Sequence, residues 1–205
     1  MLSTMTRALL VIDVQESFRR TPLWPAISNP DIASDVARLV DGARADGDLV
    51  VWILHSEPGS GGPFDPANGH VRYLAPLAPE PGEPQLTKTS HNAFTTTNLQ
   101  QLLTERGIRE LVVCGIRTEQ CCETTARVAS DLGYQVTFVT EATATNPIAH
   151  RDAPRTQNVE ELLADPRTLP ASAVIERTEY ALAGRFAAIA TIAEVVGEPA
   201  NLTRS

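Results

Sequence analysis

Residues Leu111 to Tyr134 read LVVCGIRTEQCCETTARVASDLGY. The run Leu111-Val112-Val113-Cys114 is apolar and β-branched and is bounded by Gly115, a pattern that predicts a buried strand. About a turn later an amphipathic helix begins, with Thr118 as its expected cap and Glu119 in its first turn. Cys121 then falls in the first turn of that helix, just beyond the carboxyl end of the strand. Backbone N–H groups at a helix start lack intrahelical partners, and the helix dipole there favours negative charge. A thiol in that position is expected to have a lowered pKa and to be partly thiolate. The same N–H groups can hold an oxyanion. This stretch by itself suggests a cysteine nucleophile in a preformed anion site.

Working outward, the same alternation of strand and helix recurs. Residues Arg7 to Val14 predict a first strand, and Asp13 closes its apolar run. Asp31 to Asp46 carries Ile32, Val36, Leu39, Val40 and Ala43 at helical spacing, with Gly47 as the stop. Leu49 to His55 is a second strand, and Gln85 to Thr89 is a short extended piece containing Lys88. A helix is expected over Thr97 to Arg106 and a strand over Gln135 to Thr140. Asn146 to Pro170 is polar and irregular apart from a short helix at Val159 to Ala164. A helix over Ala171 to Ala183, a strand over Phe186 to Ala190 and a helical turn at Ile192 to Val196 follow. Strands alternating with helices imply a single α/β domain over residues 1–205. Its architecture is a three-layer α/β/α sandwich with a mostly parallel sheet of about six strands. The loops Gln15 to Pro30 and Glu57 to Pro84 remain. The second, at roughly thirty residues, is long for a compact domain, which hints at function.

Composition narrows the partners. Lys and Arg number 17 against 25 Asp and Glu, a formal net charge of −8. With no basic cluster, this argues against nucleic acid or an acidic membrane surface as partner. The longest apolar runs are strand-sized, so no transmembrane helix is expected. Residues Met1 to Thr6 lack the apolar stretch of a signal peptide, and Met5 is a candidate start. The three cysteines, Cys114, Cys121 and Cys122, are odd in number and clustered, which predicts reduced thiols and a cytoplasmic location.

The chemistry-bearing residues converge on one rim. Open parallel sheets place their sites beyond the carboxyl ends of the strands. Asp13 ends the first strand, Lys88 precedes a helix and Cys121 begins one. A carboxylate can take the thiol proton, while a lysine can hold the carboxylate and stabilise the thiolate. Phe18, Trp24, His55 and Phe94 are candidate pocket walls. His55, Glu57 and His70 are of metal-ligating type but lack a tight ligand spacing, so no metal is expected and His55 is instead a candidate hydrogen-bonding pocket residue. Gly59-Ser60-Gly61-Gly62 has the glycine content of a phosphate loop without its lysine or its strand–loop–helix setting, and reads as a lid.

Three segments together resemble the isochorismatase-like cysteine hydrolases, which include nicotinamidases and N-carbamoylsarcosine amidohydrolase. They are ALLVIDVQESF around Asp13, TKTSHNAFTTTNLQQLL around Lys88 and CGIRTEQCCETTARVASDLGYQVTFVTEATAT around Cys121. ALAGRFAAIATIAEVV is a weaker fourth match. The most specific element is Gly115, Thr118 and Cys121 in a Gly-x-x-Thr-x-x-Cys pattern. The resemblance implies a catalytic triad of Asp13, Lys88 and Cys121, with Ile116, Arg117 and Thr118 forming an oxyanion-binding turn around a non-proline cis peptide. It also implies hydrolysis of a C–N bond in a small amide or carbamoyl-type substrate through a thioester, with no organic cofactor. A homo-oligomer, dimer or tetramer, is implied as well. The alternatives are an isochorismatase-type vinyl ether hydrolase, which does not need the cysteine, and a non-catalytic binding protein on the same scaffold. The sequence departs from the family pattern at Cys122, where Val is usual, and at Glu141, where Asp is common. It departs again at His55-Ser56-Glu57, where nicotinamidases carry a metal-binding Asp-x-His.

Overall fold

The computed structural model describes residues 6–154 and 158–198. The candidate start at Met5 and part of the 146–170 stretch lie outside the described residues. Six parallel strands form one sheet in the order β3-β2-β1-β4-β5-β6. These are β1 Arg7–Ile12, β2 Leu49–His55, β3 Gln85–Lys88, β4 Glu110–Ile116, β5 Gln135–Ala144 and β6 Ala188–Ala190. The helices are α1 Glu16–Arg19, α2 Ile32–Asp46, α3 Leu99–Glu105, α4 Glu123–Asp131, α5 Val159–Ala164, α6 Ala171–Leu182 and α7 Ile192–Val196.

A parallel sheet covered on both faces needs strands that are apolar throughout, not alternately. β1 shows how each face is served. Ala8, Leu10 and Ile12 enter a core with Leu99 and Leu103 of α3 and Ala126 and Ala129 of α4. Leu9 and Val11 enter a second core with Val36, Leu39 and Val40 of α2 and Ile192 of α7. Gly47 ends α2 at φ +77°, a left-handed turn that costs glycine little.

Two boundaries differ from expectation in ways that matter. The strand expected to stop at Thr140 continues to Ala144. After Val113 pairs with Phe138 the register shifts, and Gly115 and Ile116 pair with Thr143 and Ala144. Glu141, which breaks the apolar run in the sequence, sits in this bulge, and its carboxylate accepts the N–H of Ile192 at 2.9 Å.

The second difference lies after β4. The chain there does not enter an α-helix directly. It makes a π turn over Thr118–Cys122, and α4 starts at Glu123. Thr118 is not a cap: it is buried, and its hydroxyl donates to Thr143 Oγ1 at 2.8 Å. Arg117 occupies the capping position without a side-chain cap. Thr143 in turn donates to the Thr140 carbonyl at 2.8 Å, so the turn is tied to the bulge of β5. Short π segments of this kind recur at functional sites.

Candidate active site

The strand register brings the predicted residues together. Ile12 is level with Ile53 and Gly115, and His55 is level with Lys88, so β1 to β4 end along one rim. Asp13 follows β1, and its N–H donates to the Ile53 carbonyl at 2.8 Å. Its φ of +54° lies in the left-handed region, which aspartate tolerates better than most residues. The fit with β4 is tight here. Gly115 has φ +131°, and a Cβ on it would stand 1.9 Å from the Ile12 carbonyl oxygen.

Lys88 is the hub. Its Nζ lies 2.7 Å from Asp13 Oδ2, 3.2 Å from the Ser90 carbonyl, 3.4 Å from Cys121 Sγ and 3.4 Å from His55 Nδ1. Both Lys88 and Asp13 are 0% exposed. Desolvating two charges costs several kcal/mol per ion, so such a pair is weak evidence for stability and stronger evidence for chemistry. Asp13 Oδ1 is buried and has no hydrogen-bond partner among the described residues. It leaves an acceptor open to a donor on a bound molecule.

The thiol differs from the helix-start expectation. Burial, with the Asp13 charge acting in the same direction, pushes Cys121 up to about 12. Lys88 opposes this, but its shorter contact is with Asp13 rather than with sulfur. Burial also raises Asp13, with Lys88 pulling it back. At neutral pH the sulfur therefore keeps its proton. Cys114 and Cys122 are buried and their thiols are raised too.

A cavity of about 210 Å³ opens on this cluster. Asp13, Cys121, Phe18 and His55 line it, together with Glu57. Trp24 and Phe94 do not. Trp24 packs beside the α2 core under Arg19, and Phe94 is buried in the opposite core, stacked on Tyr134. Both are aromatics near the motifs, but packing against helices claims them. The walls that sequence reasoning missed are Phe64, His91 and Gln120, and Arg117, expected there for its backbone, lines the cavity as well. Gln120 and His91 lie one and three residues from Cys121 and Lys88, a proximity that could have flagged them. Phe64 comes from the Gly/Pro-rich loop and carried no signal. Four larger hollows, of about 300 to 380 Å³, lie elsewhere among the described residues, and none of them is lined by a cysteine or a lysine.

Of the metal-type trio, His55 and Glu57 meet at 3.3 Å, while His70 does not line the cavity. Among the described residues no group of three or more His, Cys, Asp or Glu side chains has the geometry to hold a metal ion. The peptide between Ile116 and Arg117 is cis. Neither Arg117 nor Thr118 donates its N–H to a protein acceptor among the described residues. No helix among them is long and apolar enough to cross a membrane.

A streptothricin hydrolase of Streptomyces noursei is 39% identical over 145 residues, covering 69% of this chain. The chain spans only 56% of that relative's length. The isochorismatase family protein YddQ of Bacillus subtilis is 33% identical over 150 residues, covering 72% of this chain and 83% of its own. The crystal structure of an isochorismatase from Pseudomonas putida superposes with a TM-score of 0.78 at 32% identity, covering 92% of this chain and 89% of its own. The isochorismatase domain model matches residues 7–169, from the first strand through the cysteine helix and beyond. With that match spanning most of the chain, this protein belongs to the isochorismatase family.

Proposed function

We propose that this protein hydrolyses a C–N bond in a small amide or carbamoyl-type substrate, with Cys121 as nucleophile, Asp13 as proton carrier and Lys88 as the cation that organises both. The observation that carries this reading is the buried contact set in which one lysine nitrogen touches both the Asp13 carboxylate and the Cys121 sulfur. A vinyl ether hydrolysis that needs no thiol gives no reason for that arrangement. The hydrolase named among the relatives supports the same class of chemistry.

With the substrate seated, Asp13 takes the thiol proton and Sγ bonds to the carbonyl carbon. The carbonyl electrons move to oxygen, and the oxyanion is held by the N–H groups of Cys121 and the Arg117–Thr118 turn. Collapse expels the amine or ammonia, which receives its proton from Asp13, and leaves a thioester. Asp13 then accepts a proton from water, hydroxide adds to the thioester, and the acid departs as the thiol is reprotonated. The high thiol pKa suits this scheme, because a resting proton on sulfur is delivered to the leaving group within the same turnover.

The test is an ammonia-release screen over small amides, ureido acids and carbamoyl compounds, with wild type and Cys121→Ala in parallel. Release by wild type and not by the variant is expected. Equal release by both would overturn the thioester mechanism.

A further inference from the structure

We propose that Arg117 selects the substrate, and that the amide this enzyme cleaves carries a second, anionic group, a carboxylate. The proposal rests on the amide-hydrolase reading and names the class of molecule that reading leaves open.

Arg117 stands between the end of β4 and the π turn that carries Cys121, and it lines the same cavity, as does Phe18. Its Cζ lies 5.9 Å from the Phe18 ring centroid. Phe18 is itself held edge-on against Phe64 at 4.9 Å between centroids. The guanidinium is thus seated over a fixed aromatic ring that lines the same cavity as the nucleophile, not trailing in solvent.

Its charge is uncommitted. Among the described residues no carboxylate lies within 4.0 Å of it and no acceptor takes its N–H groups. The other charged groups named around the nucleophile each have a protein contact. Lys88 is taken by Asp13, and Glu57 has its carboxylate 3.3 Å from His55 Nε2. A half-buried arginine with no partner is matched by a planar anion that can take two parallel N–H bonds, which is the geometry of a carboxylate. An ammonium or guanidinium on the substrate would meet repulsion at the same place.

The test uses a panel of dicarboxylic acid monoamides, malonic through adipic, each beside its methyl ester. Turnover is read as the ratio of kcat/KM for acid over ester, in wild type, Arg117→Met, Arg117→Lys and Arg117→Glu. At the best chain length wild type should favour the acid by roughly ten- to a hundredfold, the range for a charge-assisted hydrogen bond. The ratio should fall toward one in Arg117→Met, recover in part in Arg117→Lys, and fall below one in Arg117→Glu. An acid preference that survives in Arg117→Met, or a wild type that favours no acid at any length, overturns the proposal. If no amide is turned over, the hydrolase reading is what has failed. Calorimetric binding of the same pairs to Cys121→Ala then decides the inference separately: acids binding more tightly, and only while Arg117 is present, supports it, and equal binding overturns it.

Discussion

Lys88 Nζ stands 2.7 Å from Asp13 Oδ2, and both side chains are sealed from solvent. Each charge is the other's compensation, so removing one leaves the other stranded. Lys88→Met or Asp13→Asn should each destabilise the fold by about 3 kcal/mol or more. The double variant should cost clearly less than the sum. Urea unfolding of the four proteins measures this, and strict additivity would mean that the two groups are independent.

Cys121→Ala should lower amide hydrolysis by at least about a thousandfold while leaving the far-ultraviolet spectrum and unfolding midpoint near wild type. Cys114→Ala and Cys122→Ala should keep the reaction, because Cys114 lies within β4 and neither lines the cavity. Loss of activity in Cys122→Ala with the fold intact would move the nucleophile by one residue.

With Cys121 pushed up to about 12, iodoacetamide should modify it slowly at pH 7 and faster as pH rises. Lys88→Met removes the cation that favours thiolate, so alkylation at any one pH should slow further. Profiles that coincide in the two proteins would show that Lys88 has no electrostatic hold on the sulfur.

The thiols also set the alkaline limit of stability. A raised folded-state pKa means the native state binds the proton more tightly than the unfolded chain, where a thiol titrates near 8.5. The stabilisation is complete below that value and is lost as pH rises toward the folded value of about 12 for Cys121. Cys114 and Cys122 are displaced in the same direction. Each thiol should contribute about 1.4 kcal/mol of lost stability per pH unit in that window. Cys114→Ala should therefore show a shallower decline between pH 9 and 11 in urea titrations, even though it starts lower. An unchanged slope would mean that Cys114 does not take part.

Gly115→Ala puts a methyl group 1.9 Å from the Ile12 carbonyl, in a backbone conformation that L-residues rarely adopt. The expected cost is at least about 2 kcal/mol, seen as a fall in Tm of several degrees. Because Ile12 precedes Asp13, activity should fall more than stability alone would explain. A variant as stable and active as wild type would show that β1 and β4 are not held this closely.

Much of this protein is determined by its sequence. The apolar runs of β1, β2 and β4, the spacing of α2 and the glycine after it predict a parallel α/β sheet because burial on both faces leaves an unmistakable local pattern. The rim residues Asp13, Lys88 and Cys121 are legible as well, each standing at the end or start of a readable element. What the tertiary structure decided depends on contacts between segments far apart in the chain. Thr118 is taken from its capping role by Thr143, which reaches it only through the bulge of β5. The Cys121 thiol rises instead of falling because enclosure and Asp13 outweigh the local helix-start field. Phe64 enters the cavity while Trp24 and Phe94 leave it. Local pattern records which face of an element is apolar; it does not record how much water reaches a side chain or which distant partner arrives first, and those decide ionisation and pocket shape.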